Sequence, residues 1–378
     1  MINSINLRNF KAFKEITVPL SHLTLLSGLN GSGKSTLLQA LGLIRQSWDA
    51  GFLLQNDLLL NGDLVELGTG ADVLHHDFEE PLLGIGISIE TNLGGGNLVW
   101  RSPIELSSDV LKCDASPARG DSPNESGGMQ IFNLLDFGFQ FLRADRITPS
   151  VSYPKSHHAV RHGKFLGPRG DYTAHFLLEF GADKISNPKL IHPAEPDAPS
   201  LLAQVNAWLQ EFSPGVRVDA HPVAMTDFVR LEYSYRGQGA SYGAPLRPTN
   251  VGFGLTHSLP VIAACLGAEP RSLIVIENPE AQLHPQGQVA IGRLLALTAA
   301  GGVQVVVESH SDHILNGIRL AVKEGALAPE HAQFLFFHRE PGKQSEFVSP
   351  KITKEGRLTR WPSGFFDQWE KSLDALLD

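Results

Sequence analysis

The nine residues Gly28-Leu29-Asn30-Gly31-Ser32-Gly33-Lys34-Ser35-Thr36 fit the pattern GxxxxGK[ST] and constrain the chain more than any other feature. A loop of this kind works only between a strand and a helix. Both flanks are present: Leu23, Leu25 and Leu26 follow a strand pattern, and TLLQALGLIRQSW resumes at helical spacing. The glycines let backbone N–H groups turn inward on α- and β-phosphates, and the helix N-terminus adds its positive end. Lys34 then reaches the β- and γ-phosphates, while the Ser35 hydroxyl ligates Mg2+. Asn30, Gly31, Ser32, Gly33, Lys34, Ser35 and Thr36 are therefore the predicted nucleotide-binding residues, with ATP and Mg2+ as ligands.

The remaining pattern extends this α/β start. Ile5, Leu7, Ile16 and Val18 alternate ahead of the loop. Residues 55–150 read as short β-strands joined by turns such as GDLVELGTGAD and TNLGGGN, with a mobile loop at 114–128. Residues 187–200 read as a proline-broken linker, after which Leu201, Leu202, Val205, Trp208, Leu209 and Phe212 share a helical face. Val229, Leu231, Tyr233 and Tyr235 alternate as a strand. The runs SLIVIE (272–277) and GVQVVVE (302–308) are undiluted apolar strands separated by a helix, the pattern of parallel strands buried on both faces.

Composition limits the function classes. At 42% hydrophobic and 19% charged, the 378 residues bury a sizeable core. Two distant cysteines, Cys113 and Cys265, do not make a disulfide scaffold or a cysteine-ligated zinc site. No apolar run reaches membrane-span length and the start lacks a secretory apolar region, so a cytoplasmic, membrane-free protein is expected. With 31 basic against 40 acidic residues the net charge is -9, so any nucleic-acid contact needs a local patch.

The strand SLIVIE ends in Glu277, followed by Asn278, Pro279 and Glu280. An apolar strand ending in a carboxylate is the Walker B arrangement, in which the acid holds a metal-bound water, so Glu277 joins Ser35 as a predicted Mg2+ site. At these residues the chain resembles the ABC-type ATPase heads shared by SMC, RecF and OLD-family proteins. More narrowly, it is similar to prokaryotic AAA-type ATPases that read ENPEAxLHPxGQ, ESHSDHILNGIR and WPxGFFDQ. Here those are Glu277–Gln288, Glu308–Arg319 and Trp361–Gln368, and the resemblance runs from NFKAF at 9–13 to the C-terminus.

The resemblance implies further sites. The family's signature segment, which touches the γ-phosphate of a partner subunit, corresponds to VGFGLTHSLPVI, with Gly252 and Gly254 leading into a helix near Thr256 or Ser258. The switch histidine corresponds to His310. Many relatives carry Asp-Glu at Walker B, the Glu acting as general base; here the base position is Asn278. An amide orients a water but accepts no proton, which leaves Glu280 as the nearest substitute. The predicted catalytic set is thus Glu277, Asn278, Glu280 and His310, with slow or partner-gated turnover. Arg8 and Lys11 fall near the adenine or phosphates by the same resemblance, and Asp63 falls in a Q-loop-like stretch without a glutamine.

Weaker features have competing explanations. Arg143, Arg146, Lys155, Arg161, Lys164 and Arg169 face one acid, Asp145, within 143–169; they suit a nucleic-acid backbone, a partner or the nucleotide, and equally a solvated surface. His158 and His162 have helical metal-ligand spacing without a third ligand. Phe365, Phe366 and Trp369 either dock a partner or anchor a terminal helix.

The resulting expectation is an α/β protein: an ABC-type ATPase head with a P-loop parallel sheet core, an antiparallel β lobe and an inserted mixed α/β lobe. Residues 1–55 supply its P-loop part, 56–224 a middle lobe, and 225–378 the signature, Walker B, switch histidine and tail. The resemblance implies a head-to-tail homodimer or higher oligomer, closed by ATP, that controls a separate effector such as a nuclease or toxin in bacterial anti-phage defence. Two alternatives stay open: a RecF-like repair ATPase that binds DNA, and an ATP-locked scaffold that hardly hydrolyses. DNA or RNA is a further candidate ligand of the chain.

Overall fold

In the computed structural model the alternating N-terminal run becomes three strands, Ile2–Phe10, Phe13–Pro19 and Leu23–Gly28, and the helix after the glycine loop spans Lys34–Asp49. The structure describes residues 1–91, 94–118, 138–237, 241–340, 343–362 and 364–377. They fall into two units: Met1–Phe137 with Gln333–Pro350 and Arg360–Asp378, and Gly138–Ala332 with Lys351–Thr359.

The first unit carries an antiparallel sheet. Ile2–Phe10 lies between Phe13–Pro19 and Leu82–Thr91, and the sheet continues through Gly94–Pro103 to Asp114–Ala118. Alternation explains which face is inside: Ile5 and Leu7 are fully buried, and Ile85 and Ile87 lie opposite them in register. The strands of 55–150 are present, but the hairpin Leu82–Thr91/Gly94–Pro103 is longer than the expected short runs, with ten residues in each arm. The expected mobile loop at 114–128 is corrected in part, because Asp114–Ala118 is a paired strand; 119–128 lie outside the described residues. Next to Leu23–Gly28 runs Ala332–Arg339, itself paired antiparallel with Ser345–Val348.

The second unit is built on parallel strands. Leu273–Glu277 sits between Phe139–Leu142 and Gln304–Glu308, and Val305, Val306 and Val307 are fully buried. Burial of each such side chain contributes about 1.5–3 kcal/mol. The intervening helix Pro285–Ala300 crosses Asp312–Lys323 at a pair of glycines. A Cβ on Gly292 would meet the Ile314 carbonyl oxygen at 2.3 Å, and one on Gly317 would meet that of Val289 at 2.2 Å. A smaller antiparallel sheet (Tyr153–Pro154, Phe228–Tyr235, Val216–Pro222) and the helices Thr173–Phe180, Leu201–Leu209 and Phe253–Gly267 complete the unit.

Residues 187–200 lie inside this second unit and do not link units. Gln204 holds them in place, donating Nε2 to the carbonyls of Glu195 (2.9 Å) and Ala198 (2.8 Å) and accepting from His192 N at 2.6 Å. Among the described residues no helix is long and apolar enough to cross a membrane.

Candidate functional site

The glycine loop is shaped by its own backbone. Gly28, Gly31 and Gly33 have φ of 135°, 74° and 94°, a region that L side chains rarely enter. At two of them there is also no room: a Cβ would lie 2.1 Å from the Phe337 carbonyl oxygen at Gly28 and 2.5 Å from the Phe13 ring at Gly33. Gly33 is the N-cap of Lys34–Asp49, so no side chain caps the helix start. Lys34, only 3% exposed, donates Nζ to the carbonyls of Gly28 (2.9 Å) and Leu29 (2.8 Å), and Ser32 Oγ donates to Leu29 O at 2.7 Å. Thr36 is buried, whereas Asn30, Gly31 and Ser35 are exposed. An uncapped helix start, an exposed hydroxyl on its first turn and a buried ammonium within the loop make a donor set that fits a triphosphate with a hard cation.

Three further candidates, Lys11, Arg8 and Asp63, lie in this unit. Lys11 has φ 48°; its N–H donates to Val73 O, and its carbonyl accepts from His75 Nδ1, each at 2.8 Å. Burial lowers the Lys11 pKa, with Asp72 opposing. Arg8 is exposed and lies opposite Glu15 in the first hairpin. Asp63 is exposed too. A glutamine does meet its segment, but from the helix: Gln46 donates to Leu59 O (2.7 Å) and accepts from Val65 N (2.9 Å).

In the second unit four predicted residues come together at the ends of two strands. The parallel register sets Glu277 opposite Glu308, at the carboxyl end of the strands where such sheets place their sites. Burial raises the Glu277 pKa; the Ala144 N–H on its Oε2 (3.0 Å) opposes this, and the Glu308 charge adds to it. Asn278 takes the left-handed conformation (φ 45°) and donates its N–H to Glu308 O at 2.9 Å. Glu280 Oε1 accepts the His310 N–H at 2.8 Å, and the His310 ring lies 3.9 Å from Glu308 Oε1. Among the described residues, Asn278 Oδ1 and Glu280 Oε2 are buried without a hydrogen-bond partner. Buried, unpaired acceptors such as these are costly unless something donates to them in a working state.

The signature-position helix starts against the same turn. Gly252 is its N-cap, and a Cβ on Gly254 would meet the Gln282 carbonyl oxygen at 2.4 Å. The helix begins at Phe253, ahead of the expected start near Thr256 or Ser258, which are each 1% exposed and face the core. The helix start presents Gly252, Gly254 and the half-exposed Phe253 instead.

The basic window 143–169 is mostly paired. Arg143 and Arg169 both contact Asp145, Arg161 holds Glu179 with two nitrogens, and Lys164 pairs with Glu269. The acids Glu179 and Glu269 lie outside the window in sequence, so a local charge count misses them. Arg146 is not a surface residue: it is 2% exposed, and its guanidinium donates to the carbonyls of Glu277 (2.7 Å) and Asn278 (2.6 Å). Sequence reasoning missed it as a site residue. The available signal was its place just after the apolar strand FQFL, at the carboxyl end of a parallel strand. Among the described residues no group of three His, Cys, Asp or Glu side chains is placed to hold a metal ion. Phe365 is fully buried between Phe336 and Trp361, at ring distances of 5.5 and 5.3 Å, and so anchors the tail; the Trp369 side chain lies outside the described residues.

Residues 1–118 match a family model described as an AAA ATPase domain, and 140–316 match one described as an AAA domain, putative AbiEii toxin, Type IV TA system. Residues 327–376 match a protein of unknown function, DUF3696. No curated protein sequence matches the chain. Among solved structures it is similar to an SmcHead bound to the C-winged helix domain of ScpA, at 12% identity and a TM-score of 0.50, over 93% of this chain and 98% of that one. It is also similar to the SMC head domain from Thermotoga maritima (14% identity, TM-score 0.46, 93% and 99% covered). A third is an Smc head domain with an extended coiled coil bound to the C-terminal domain of ScpA derived from Pyrococcus furiosus (13%, 0.49, 100% and 99%). At these identities the likeness is one of fold: the chain has the α/β fold of an ABC/SMC-type ATPase head.

Proposed function

We propose that this chain, a P-loop ATPase of the ABC/SMC-head type, is a dimeric switch that ATP closes and slow or partner-gated hydrolysis releases. The segments 1–55, 56–224 and 225–378 act as parts of one head. Two copies pair head to tail, or in a higher oligomer, with Gly252 and Gly254 of one meeting the nucleotide held by Asn30–Thr36 of the other. Lys34 neutralises phosphate charge, and Ser35 and, through water, Glu277 are the Mg2+ ligands this reading assigns. Mg2+, when bound, offsets charge developing on the phosphates. His310 senses the γ-phosphate, Asn278 orients the attacking water, and Glu280 takes its proton.

One observation carries the hydrolytic reading: Glu280 is held by the His310 N–H on one oxygen while its other oxygen is buried and unpaired among the described residues. That is the posture of a carboxylate positioned for a water. A second reading, the ATP-locked scaffold, is favoured by Asn278 at the base position. The effector is a separate polypeptide, such as a nuclease or toxin in a cytoplasmic anti-phage system. The likeness to a head that binds ScpA and to a putative AbiEii toxin domain supports a protein partner and a defence role. Direct DNA or RNA binding, as in a RecF-like repair ATPase, loses support because the basic window is paired internally.

The test is ATP turnover by the purified chain at low salt, alone and with duplex DNA, beside Lys34→Ala and Glu280→Gln. Turnover that needs Lys34 and Glu280 and ignores DNA is expected. Lys34-independent turnover would overturn the ATPase reading, and ATP binding without turnover would favour the scaffold.

A further inference from the structure

The guanidinium of Arg146 makes four hydrogen bonds, all to backbone carbonyls and in three directions. Nε donates to His257 O (3.1 Å) in the first turns of Phe253–Gly267. Nη1 donates to Glu277 O (2.7 Å) and to Arg143 O (3.1 Å) in its own loop, and Nη2 donates to Asn278 O (2.6 Å). A buried charge satisfied only by neutral carbonyls is a poor way to gain stability, since an apolar side chain of similar volume fills such a space at lower desolvation cost. Burial accordingly pulls the Arg146 pKa down to about 10, against the pull of Glu280 and Glu277. What the planar fork provides, and an apolar or ammonium side chain cannot, is one fixed arrangement of three segments. A second contact joins the same two elements, because Gly254 lies against the Gln282 carbonyl in the turn that follows Glu280.

We infer that Arg146 is a positioning residue that couples the helix start at Gly252–Gly254 to the turn carrying Asn278 and Glu280, so that engagement of nucleotide at the first sets the water-orienting arrangement at the second. The inference rests on the ATPase reading above. It assigns to an interior residue the communication between the segment that meets a partner's nucleotide and the segment that performs hydrolysis. The carbonyl oxygens of Glu277 and Asn278 are the levers: shifting either one redirects the unpaired Asn278 Oδ1 and Glu280 Oε2 beyond it.

The test combines amide hydrogen exchange, with and without Mg-ATP, with steady-state turnover and equilibrium ATP titration of the full chain. In the wild type, ATP should protect 28–36, and should protect 253–258 and 277–283 together. Arg146→Lys keeps the charge and loses the fork. It should retain protection at 28–36 and ATP affinity within about threefold, lose the ATP response at 277–283, and lower kcat about 30-fold with little change in KM. Arg146→Met should behave alike, and the unfolding midpoint of each variant identifies one that fails to fold. Wild-type kcat with intact protection at 277–283 in Arg146→Lys would overturn the coupling. So would a wild type in which 253–258 respond to ATP and 277–283 do not, a result that needs no variant. A wild type without ATP-dependent protection at 28–36 would overturn the nucleotide reading itself, and the coupling with it.

Discussion

The phosphate loop and the acidic turn solve their positioning problems in opposite ways. The loop is local: nine consecutive residues supply its shape, and its buried Lys34 is bound to carbonyls five and six residues away. The acidic turn is assembled from afar. Glu277 is met by Ala144, Glu280 by His310, and the backbone between them by Arg146. A local site depends on its own composition, whereas an assembled one depends on the register of strands and on every segment that delivers a partner. The two should therefore fail differently when perturbed.

The sharpest contrast comes from the ammonium itself. Lys34→Ala should cut ATP turnover by about 10²–10³-fold, because phosphate charge is left uncompensated, and a nucleotide-binding titration should show weaker affinity as well. At the acidic turn Glu280→Gln should lower kcat by about 10²-fold while ATP affinity stays near wild type, a split that single-turnover kinetics would read. Equal loss of affinity in both variants would erase the distinction between a binding loop and a catalytic turn.

The same contrast explains what the sequence could reveal. The loop was legible because GxxxxGK[ST] encodes conformation and chemistry in one stretch, and the parallel strands were legible because undiluted apolar runs such as IVI and VVV have few other uses. Glu277, Asn278, Glu280 and His310 could be named from motifs, but their mutual contacts could not. Arg146 was misread as surface charge because nothing local marks an arginine with three of its four carbonyl partners more than a hundred residues downstream. The helix start expected near Thr256 or Ser258 was misplaced for a related reason: small residues suggest a helix start, and only packing shows that these two lie inside the helix and face inward.

Smaller effects refine the picture on the assembled side. Gly254→Ala drives a Cβ toward the Gln282 carbonyl and should destabilise the fold by about 1–3 kcal/mol, measured by chemical unfolding, with a further loss of kcat. His257, behind Arg146, has its pKa lowered to about 4 from 6.5, by burial first and then by the Arg146 charge. Its neutral form favours the folded chain, so this contribution is complete above pH 6.5 and is lost as pH falls toward about 4. His257→Gln should flatten that limb of the stability profile by roughly 1 kcal/mol. Glu277 runs the other way: its raised pKa means that stability falls as pH rises above the ordinary 4.5. Least of all, Arg161→Ala removes an exposed pair with Glu179 and should change the unfolding free energy by about 0.2–1 kcal/mol.

The crossing of Gly292 and Gly317 has a consequence for control. One helix of the pair follows the segment bearing Asn278 and Glu280, and the other follows His310. With backbone pressed on backbone at the crossing, neither helix can slide or roll without carrying its companion. The segments bearing Glu280 and His310 are thus mounted on a pair of riveted blades. A displacement of either blade therefore displaces both segments, as one motion.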